Sequence, residues 1–203
     1  MSPGVAATLL LIRHAAHARV AEVLCGRMDG VHLDAAGRAQ AAALGARLAG
    51  EALAAVCTSP LPRAVETAEA IARPHGLVPE RMEDLTEIAF GDWTGRPFAA
   101  LRDDPDWQRW NAMRASARPP GGEAMAEVRD RVLRGLQVLA ARHPEARMAV
   151  VSHADVIKAA VAGILGLSLD AHDRFEIAPA SVSTVVLWPG GGKVLGLNAA
   201  EAA

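Results

Sequence analysis

Basic and imidazole side chains follow separate apolar segments of this 203-residue chain. Arg13 and His14 follow the first segment, Arg63 lies shortly after the second, and His153 directly follows the third. The planar fork of arginine matches the oxygens of a phosphate group, and a neutral imidazole can attack phosphorus and carry the phosphoryl group. If the fold brings these side chains together, they predict a phosphate site in which His14 is the nucleophile.

The segments that must position this site are typical of an α/β protein. Continuous apolar runs of strand length indicate strands buried on both faces, and they occupy residues 8–12, 53–58, 148–152 and 182–188. Helical patterns that end at a glycine or before a proline occupy residues 35–48, 62–73, 123–142 and 154–165. Strands that alternate with helices predict a three-layer sandwich, a mostly parallel sheet with helices on both faces. The carboxyl ends of such strands share one edge, where ligands bind.

The middle of the chain, residues 90–122, is less regular and rich in proline and glycine. It contains the tryptophans Trp93, Trp107 and Trp110. We interpret it as a short helical excursion that covers part of the sheet edge. Residues 190–192 are all glycine and predict a turn, and we expect residues 1–203 to form a single domain.

Composition narrows the partners and the compartment. The formal net charge of −2 gives no support for nucleic-acid or membrane binding. Cys25 and Cys57 are too few for a disulfide framework or a cysteine zinc site, so reduced thiols are expected. The apolar run 5–12 lacks a preceding basic region and is far shorter than the roughly 20 residues that span a bilayer. A cytoplasmic enzyme is therefore expected, and the sequence leaves open whether it is a homodimer.

Ordered motifs along residues 9–188 resemble those of the histidine phosphatase superfamily, the phosphoglycerate-mutase-like proteins. An Arg-His motif, a Leu-x-x-x-Gly-x-x-Gln-Ala segment, a Ser-x-x-x-Arg-Ala-x-x-Thr-Ala element, a Glu-x-x-Phe-Gly-x-Trp-x-Gly element and a second His motif occur at residues 11–15, 33–41, 59–68, 87–95 and 151–154. Because they occur in the family's order across nearly the whole chain, they are far more specific than a single short pattern.

The resemblance implies a role for each matching residue. His14 would be phosphorylated, while Arg13, Arg63 and His153 would bind the phosphoryl oxygens. Glu87 would be the proton donor, a role that rests mainly on the resemblance. Elementary electrostatics agrees, because negative charge on a nearby phosphate raises the pKa of a carboxylic acid. The family implies no metal and no cofactor, and its phosphatase-type branch implies a small phosphate monoester as substrate.

The chain departs from the family pattern around both histidines. Alanine replaces glycine at Ala15 and Ala154, where an added methyl group could crowd the phosphate. Ala16 and His17 replace the usual Glu-Thr or Glu-Ser, and Val20 replaces an asparagine. Ala154 and His17 are candidate substrate-binding residues. His17 would replace a hydrogen bond to the phosphate or substrate that the substitutions remove, and the alternative is that His17 is a surface histidine. These changes are consistent with weak or narrowed activity.

Some charged residues allow two interpretations. Asp155 is either a favoured carboxylate in the first turn of a helix or a reserve proton donor, since another branch of the superfamily has an acid just after the second histidine. Arg102, Arg109 and Arg114 are either part of a lid that contacts a phosphorylated ligand or solvated arginines on an amphipathic segment.

Three functions compete at this point. The first is a phosphatase for a small phosphate ester, the second a phosphomutase, and the third a phospho-ligand-binding protein with impaired catalysis. The short Phe-Gly-x-Trp-x-Gly form and the absence of tyrosine favour water as the final acceptor over a mutase reaction. The retained catalytic set argues against the third function, although the substitutions around the histidines motivate it.

Overall fold

The computed structural model describes residues 5–200. In that range the strands are β1 (Ala7–Arg13), β2 (Leu53–Thr58), β3 (Glu80–Arg81), β4 (Arg147–Ser152), β5 (Val182–Trp188) and β6 (Gly191–Ala199). The α-helices are α1 (Ala35–Leu48), α2 (Pro62–Ala72), α3 (Phe98–Leu101), α4 (Pro105–Ala112), α5 (Met125–Arg142) and α6 (Ala154–Leu165). Of these helices, none is long and apolar enough to cross a membrane.

The strands form one mixed sheet in the order β3-β2-β4-β1-β5-β6. Strands β1 to β4 run parallel where they pair, while β5 and β6 are antiparallel to their neighbours. Crossover helices separate the parallel strands, and a tight turn at Pro189 and Gly190 joins β5 to β6. The mostly parallel, three-layer architecture predicted from the sequence is confirmed.

Residues of β1 alternate between two apolar layers. Leu9 and Leu11 belong to the cluster that includes buried residues of α5 and α6, while Leu10 and Ile12 belong to the cluster that includes α1 and α2. Because successive strand residues point to opposite faces, an apolar run is required where helices cover both sides. This double burial fixes β1 at the centre of the sheet and holds its carboxyl end in place.

The structure differs from the prediction mainly at the edges of the sheet. The predicted glycine turn begins earlier, and Gly191 already belongs to β6. The sequence did not reveal this strand because it is glycine-rich and none of its residues is fully buried. The sequence did not reveal β3 either, because this strand has only two residues and both are exposed. Helix α5 begins at Met125, two residues later than predicted, where the side chain of Glu127 accepts a hydrogen bond from the backbone N–H of Ala124 at 2.8 Å.

The tryptophan-rich segment forms the predicted helical excursion, α3 and α4. Trp93 and Trp110 are fully buried, and Trp107 packs edge-on against Trp93 with ring centroids 5.3 Å apart. Phe90 packs edge-on against Trp110 at 6.5 Å. Such edge-to-face pairs add to the stabilisation from burial. The aromatic cluster therefore anchors the segment against the core in a chain with few other large side chains.

A glycine in α1 sets the path of the chain just after β1. A Cβ atom on Gly37 would lie 1.8 Å from the carbonyl oxygen of Ala16. The carboxylate of Asp34 accepts a hydrogen bond from the Gly37 N–H at 2.7 Å, and the side chain of Gln40 accepts one from the Ala16 N–H at 2.9 Å. The first turns of α1 thus hold the backbone next to His14.

We expect Gly37→Ala to destabilise the protein by about 1–3 kcal/mol, because its methyl group must displace the Ala16 backbone. Gly50→Ala is the matched control, since a Cβ there meets nothing within 4 Å, and it should leave the free energy of unfolding unchanged or raise it by up to about 1 kcal/mol. Urea-induced unfolding measures both. Equal stabilities of the two variants would contradict the proposed contact.

Candidate active site

The ends of β1 and β4 and the loop after β2 meet at one edge of the sheet. Arg13 pairs with Ser152 in the β1–β4 register, and the His14 N–H donates to the Ser152 carbonyl at 2.9 Å. His153 follows at the start of α6, and Arg63 lies in the first turn of α2. The geometry therefore brings together the basic and imidazole residues that the sequence singled out.

His14 is buried and held as one tautomer. Its Nδ1 donates to the carbonyl oxygen of Ala15 at 2.8 Å, which assigns the ring proton to that nitrogen and leaves a lone pair on Nε2. The Nε of Arg63 donates to Nε2 at 3.3 Å. Burial first, and then the charge of Arg63, lowers the pKa of His14 well below its usual value. His14 is therefore a neutral imidazole whose unprotonated nitrogen, Nε2, has the lone pair that a nucleophile needs.

Arg13 and Arg63 each have one buried N–H group that donates no hydrogen bond within residues 5–200. Arg63 Nη2 donates to the Gly26 carbonyl at 2.7 Å, and Arg13 Nη1 donates to the Ile177 carbonyl at 2.7 Å. Arg63 Nη1 and Arg13 Nε are buried and have no partner among residues 5–200. A buried unsatisfied donor costs about 1–3 kcal/mol, and more when it is charged. Both side chains line the same cleft, so their free donors suit an anion bound there.

Glu87 faces the cleft from the motif that follows the 3₁₀ turn at residues 83–85. Only 13% of its side-chain surface is exposed, and its Oε1 accepts a hydrogen bond from the Ile88 N–H at 2.9 Å. Burial, followed by the negative charge of Asp155, raises the pKa of Glu87 to about 7. Near neutral pH the carboxyl group therefore exchanges readily between a protonated and an ionised form, as a proton donor and acceptor must.

His153 lies behind Arg63 and Glu87 and is fully buried. Its Nε2 is 2.8 Å from Ser59 Oγ, and its Nδ1 is 3.4 Å from Arg63 Nη2 and 3.7 Å from Glu87 Oε2. Burial and the neighbouring His14 lower the pKa of His153 well below its usual value, so its contact with Glu87 is not an ion pair. In this arrangement His153 touches two residues of the site, and its predicted direct contact with a phosphoryl group stays a prediction.

The two alanine substitutions have different surroundings. Ala15 is fully buried and packs with Leu33 and Ala41, away from the cleft, while its N–H donates to Thr67 Oγ1 at 3.0 Å. The methyl group of Ala15 therefore does not crowd the cleft. Ala154 lines the cleft as the first residue of α6, where backbone N–H groups and the helix dipole favour an anion.

His17 lines the cleft and is not a surface histidine. Its ring stacks on that of His14 with centroids 5.5 Å apart, and only 8% of the residue is exposed. Its Nδ1 accepts a hydrogen bond from the Arg19 N–H at 3.3 Å, which leaves Nε2–H as a donor. Burial, and then Arg63, lowers the pKa of His17 to about 4, so the ring is neutral at neutral pH. Val20 lies beside it and offers only apolar surface.

Asp155 forms an ion pair with Arg114, with 2.7 Å between Oδ1 and Nη1. The guanidinium lies 5.0 Å from the ring centroid of Trp110. Burial opposes ionisation of Asp155, but Arg114 outweighs it and holds the pKa below the usual value. This favours a charged carboxylate in the first turn of α6 over a reserve proton donor. Arg109 pairs with the exposed Asp106 at 3.1 Å, as expected of a surface arginine.

The cleft contains residues that the sequence analysis did not single out. Cys25, Gly26, Val23 and Phe98 line it, in a volume of about 160 Å³. Among these residues, only the glycine at position 26 could have drawn attention in the sequence. The structure shows why glycine suits this position: its φ is +48°, and its carbonyl accepts a hydrogen bond from Arg63. Burial raises the pKa of the Cys25 thiol, so this group stays protonated.

The amino-acid sequence matches the histidine phosphatase superfamily (branch 1) over residues 9–200, and the chain belongs to this family. Phosphoserine phosphatase 1 of Hydrogenobacter thermophilus is 30% identical over 195 residues, which are 94% of this chain and 91% of that protein. Proteins of Mycobacterium tuberculosis are 41% identical over 120 residues, or 59% of this chain. That match spans about a third, 32%, of those longer proteins.

Solved structures agree with the family assignment. Bacillus stearothermophilus YhfR superposes with a TM-score of 0.89 at 29% identity, covering 96% of this chain and 98% of that one. A mycobacterial glucosyl-3-phosphoglycerate phosphatase superposes with a TM-score of 0.86 at 25% identity, covering 96% of this chain and all of its own. The fold and the family inferred from the motifs are therefore confirmed.

We expect Asp155→Asn to lower the pKa of Glu87. Burial is the larger cause of the raised pKa of Glu87, about 7, and the negative charge of Asp155 adds to it. The change removes that charge and leaves the charge of Arg114 uncompensated, so the pKa should fall toward its ordinary value. A ¹³C NMR titration of the Glu87 carboxyl carbon, assigned by its loss in Glu87→Gln, measures the pKa. Asp130→Asn, which alters an ion pair on the exposed face of α5, is the control. An unchanged pKa in Asp155→Asn would refute the electrostatic link.

Proposed function

We propose that this protein is a metal-independent phosphatase that hydrolyses a small phosphate monoester through a phosphohistidine on His14. The observation that carries the proposal is the neutral His14 ring. Its unprotonated Nε2 accepts a hydrogen bond from Arg63 and lies beside buried arginine donors that have no partner among residues 5–200. Phosphoryl transfer depends on positioning and on charge stabilisation, and this arrangement supplies both.

In the first step, the Arg63 Nε–H passes from His14 Nε2 to an oxygen of the bound phosphoryl group. The released lone pair of Nε2 attacks phosphorus as the ester P–O bond breaks. Arg13 and Arg63 stabilise the equatorial oxygens, together with the Ala154 N–H and His17 Nε2–H. Glu87, protonated, transfers its proton to the departing oxygen, and the alcohol leaves. Because the pKa of Glu87 lies near 7, a useful fraction holds that proton at neutral pH.

In the second step, ionised Glu87 accepts a proton from a water molecule, whose oxygen attacks phosphorus. The P–N bond breaks, its electron pair returns to His14 Nε2, and inorganic phosphate leaves. His153 acts as a positioning residue, since it lies within 3.4 Å of Arg63 and 3.7 Å of Glu87. Through these contacts, His153 holds Arg63, which binds phosphoryl oxygens, and Glu87, which transfers the proton, in fixed positions relative to each other.

The names of two relatives are consistent with hydrolysis, while other relatives are named as phosphoglycerate mutases or as mutase-like. Both the phosphoserine phosphatase of H. thermophilus and the mycobacterial glucosyl-3-phosphoglycerate phosphatase are hydrolases of phosphate esters by name. The short motif at residues 87–95 also favours hydrolysis over a phosphomutase reaction. We further propose that residues 1–203 act as a single domain in the cytoplasm on a small molecule; a homodimer is compatible with this function but not required by it.

We expect the wild-type protein to release inorganic phosphate from both alkyl and aryl phosphates, and His14→Ala to release none from either. Glu87→Gln should lose about 100-fold or more in kcat/KM on an alkyl phosphate, whose alkoxide needs a proton to depart. It should lose much less on 4-nitrophenyl phosphate, whose leaving group departs as a stable anion. Phosphate release under steady-state conditions measures all three proteins.

Each failure has a distinct meaning. Equal losses for the two leaving groups in Glu87→Gln would contradict Glu87 as the proton donor. Transfer of the phosphoryl group to a second alcohol without phosphate release would favour a mutase. Binding of phosphate esters without any turnover would favour the impaired ligand-binding protein.

A further inference from the structure

Apolar side chains line one part of the catalytic cleft. Val20, Ala21, Val23, Leu24 and Phe98 form this surface, called here the apolar wall. Val20 and Val23 come from the loop that follows His17, and Phe98 begins α3. The organic group of a phosphate ester bound at His14 must leave the cleft alongside this surface or alongside the acidic residues of the cleft.

Backbone hydrogen bonds join the two segments of the apolar wall. The Leu24 N–H donates to the Arg96 carbonyl at 3.0 Å, and the Phe98 N–H donates to the Glu22 carbonyl at 3.0 Å. Val23 forms a β-bridge with Pro97 between these bonds. These contacts hold the apolar wall in place where the loop after β1 meets the tryptophan-rich segment.

Among the residues that line the cleft, no cation is left for a second anionic group; Arg19, whose charge acts on His17 and Cys25, is exposed and does not line it. Arg13 and Arg63 are the only cationic side chains that line it among residues 5–200, and both are needed by the phosphoryl oxygens. The other charged groups in the lining are Glu87 and Asp155, and Arg114 is already paired with Asp155. A carboxylate held within the cleft would therefore lose solvation without gaining a partner.

A second groove adjoins the apolar wall at Phe98, which lines both. It has a volume of about 550 Å³ and is lined also by Trp107, Arg102 and Asn111, among others. Arg102 belongs to this outer groove and is exposed, so solvent screens its charge and it would stabilise a carboxylate there only weakly. The outer groove gives an organic group larger than the cleft a surface that begins with two aromatic rings, whose centroids are 6.1 Å apart.

We propose that the substrate is a phosphate monoester with an uncharged, apolar organic group, aryl or alkyl, that packs against the apolar wall and extends past Phe98. The inference rests on the proposed phosphatase function and narrows its substrate class. It sets this chain apart from a phosphatase for phosphoserine, whose substrate carries a carboxylate and an ammonium group next to the ester.

The test compares benzyl phosphate with 4-carboxybenzyl phosphate, which share a leaving oxygen and differ in a carboxylate. Wild-type kcat/KM should favour benzyl phosphate by about tenfold or more. Phe98→Ala should lower kcat/KM for benzyl phosphate by about tenfold and leave the inhibition constant of inorganic phosphate unchanged, because the phosphoryl pocket is intact. Val23→Lys supplies a cation and should reduce or reverse the preference. Val78→Ala, at an exposed site outside the cleft, is the control.

Equal kcat/KM values for the two esters, or a preference for the carboxylated one, would overturn the inference while leaving the phosphatase function standing. Calorimetric binding of benzylphosphonate and 4-carboxybenzylphosphonate repeats the comparison without turnover. A preference for benzylphosphonate in a protein that hydrolyses neither ester supports the apolar wall and contradicts the phosphatase function. Equal affinities of the phosphonates overturn the inference in either case.

Discussion

The hydrogen bond from His14 Nδ1 to the Ala15 carbonyl is the contact on which the site depends. It fixes the ring orientation and the tautomer, so that Nε2 is the unprotonated nitrogen, whose lone pair accepts the hydrogen bond from Arg63 Nε. The carbonyl is in place because the backbone after β1 is held on several sides, by Thr67 at the Ala15 N–H and by the close approach of Gly37 to Ala16. The reactivity of one nitrogen therefore rests on the packing of α1 and α2 against the end of a central strand.

Burial then sets the charge state of every group around that nitrogen. Desolvation keeps His14 and His153 neutral, and it raises the pKa of Glu87 toward neutrality. The guanidinium of Arg63 stays charged because its pKa, although lowered by burial, starts far above neutrality. A buried cation with an unused donor is costly in an empty cleft, and a phosphate dianion relieves that cost. The same features that destabilise the unliganded site thus favour binding of a phosphoryl group.

Much of this arrangement could be predicted from the sequence. The strand that ends in Arg13 and His14 was predictable because burial on both faces requires a continuous apolar run, and the parallel topology then placed the second histidine beside it. The antiparallel β6 could not be predicted, since it is glycine-rich, none of its residues is fully buried, and its sequence shows no apolar alternation. The burial of His17 and the pairing of Asp155 with Arg114 could not be predicted either. His17 is buried because its loop folds back against His14, and Asp155 and Arg114 come from segments far apart in the chain. No local pattern encodes such contacts.

Locating the phosphoryl group on the histidine ring tests the central claim most directly. Wild-type protein is mixed with benzyl phosphate, quenched in base during turnover, and its base-stable, acid-labile phosphate is assigned by mass spectrometry and by ³¹P and ¹⁵N NMR. Phosphate is expected on Nε2 of His14 in the wild-type protein and on no residue in His14→Ala. Phosphate on Nδ1, on another residue, or retained in His14→Ala would contradict it.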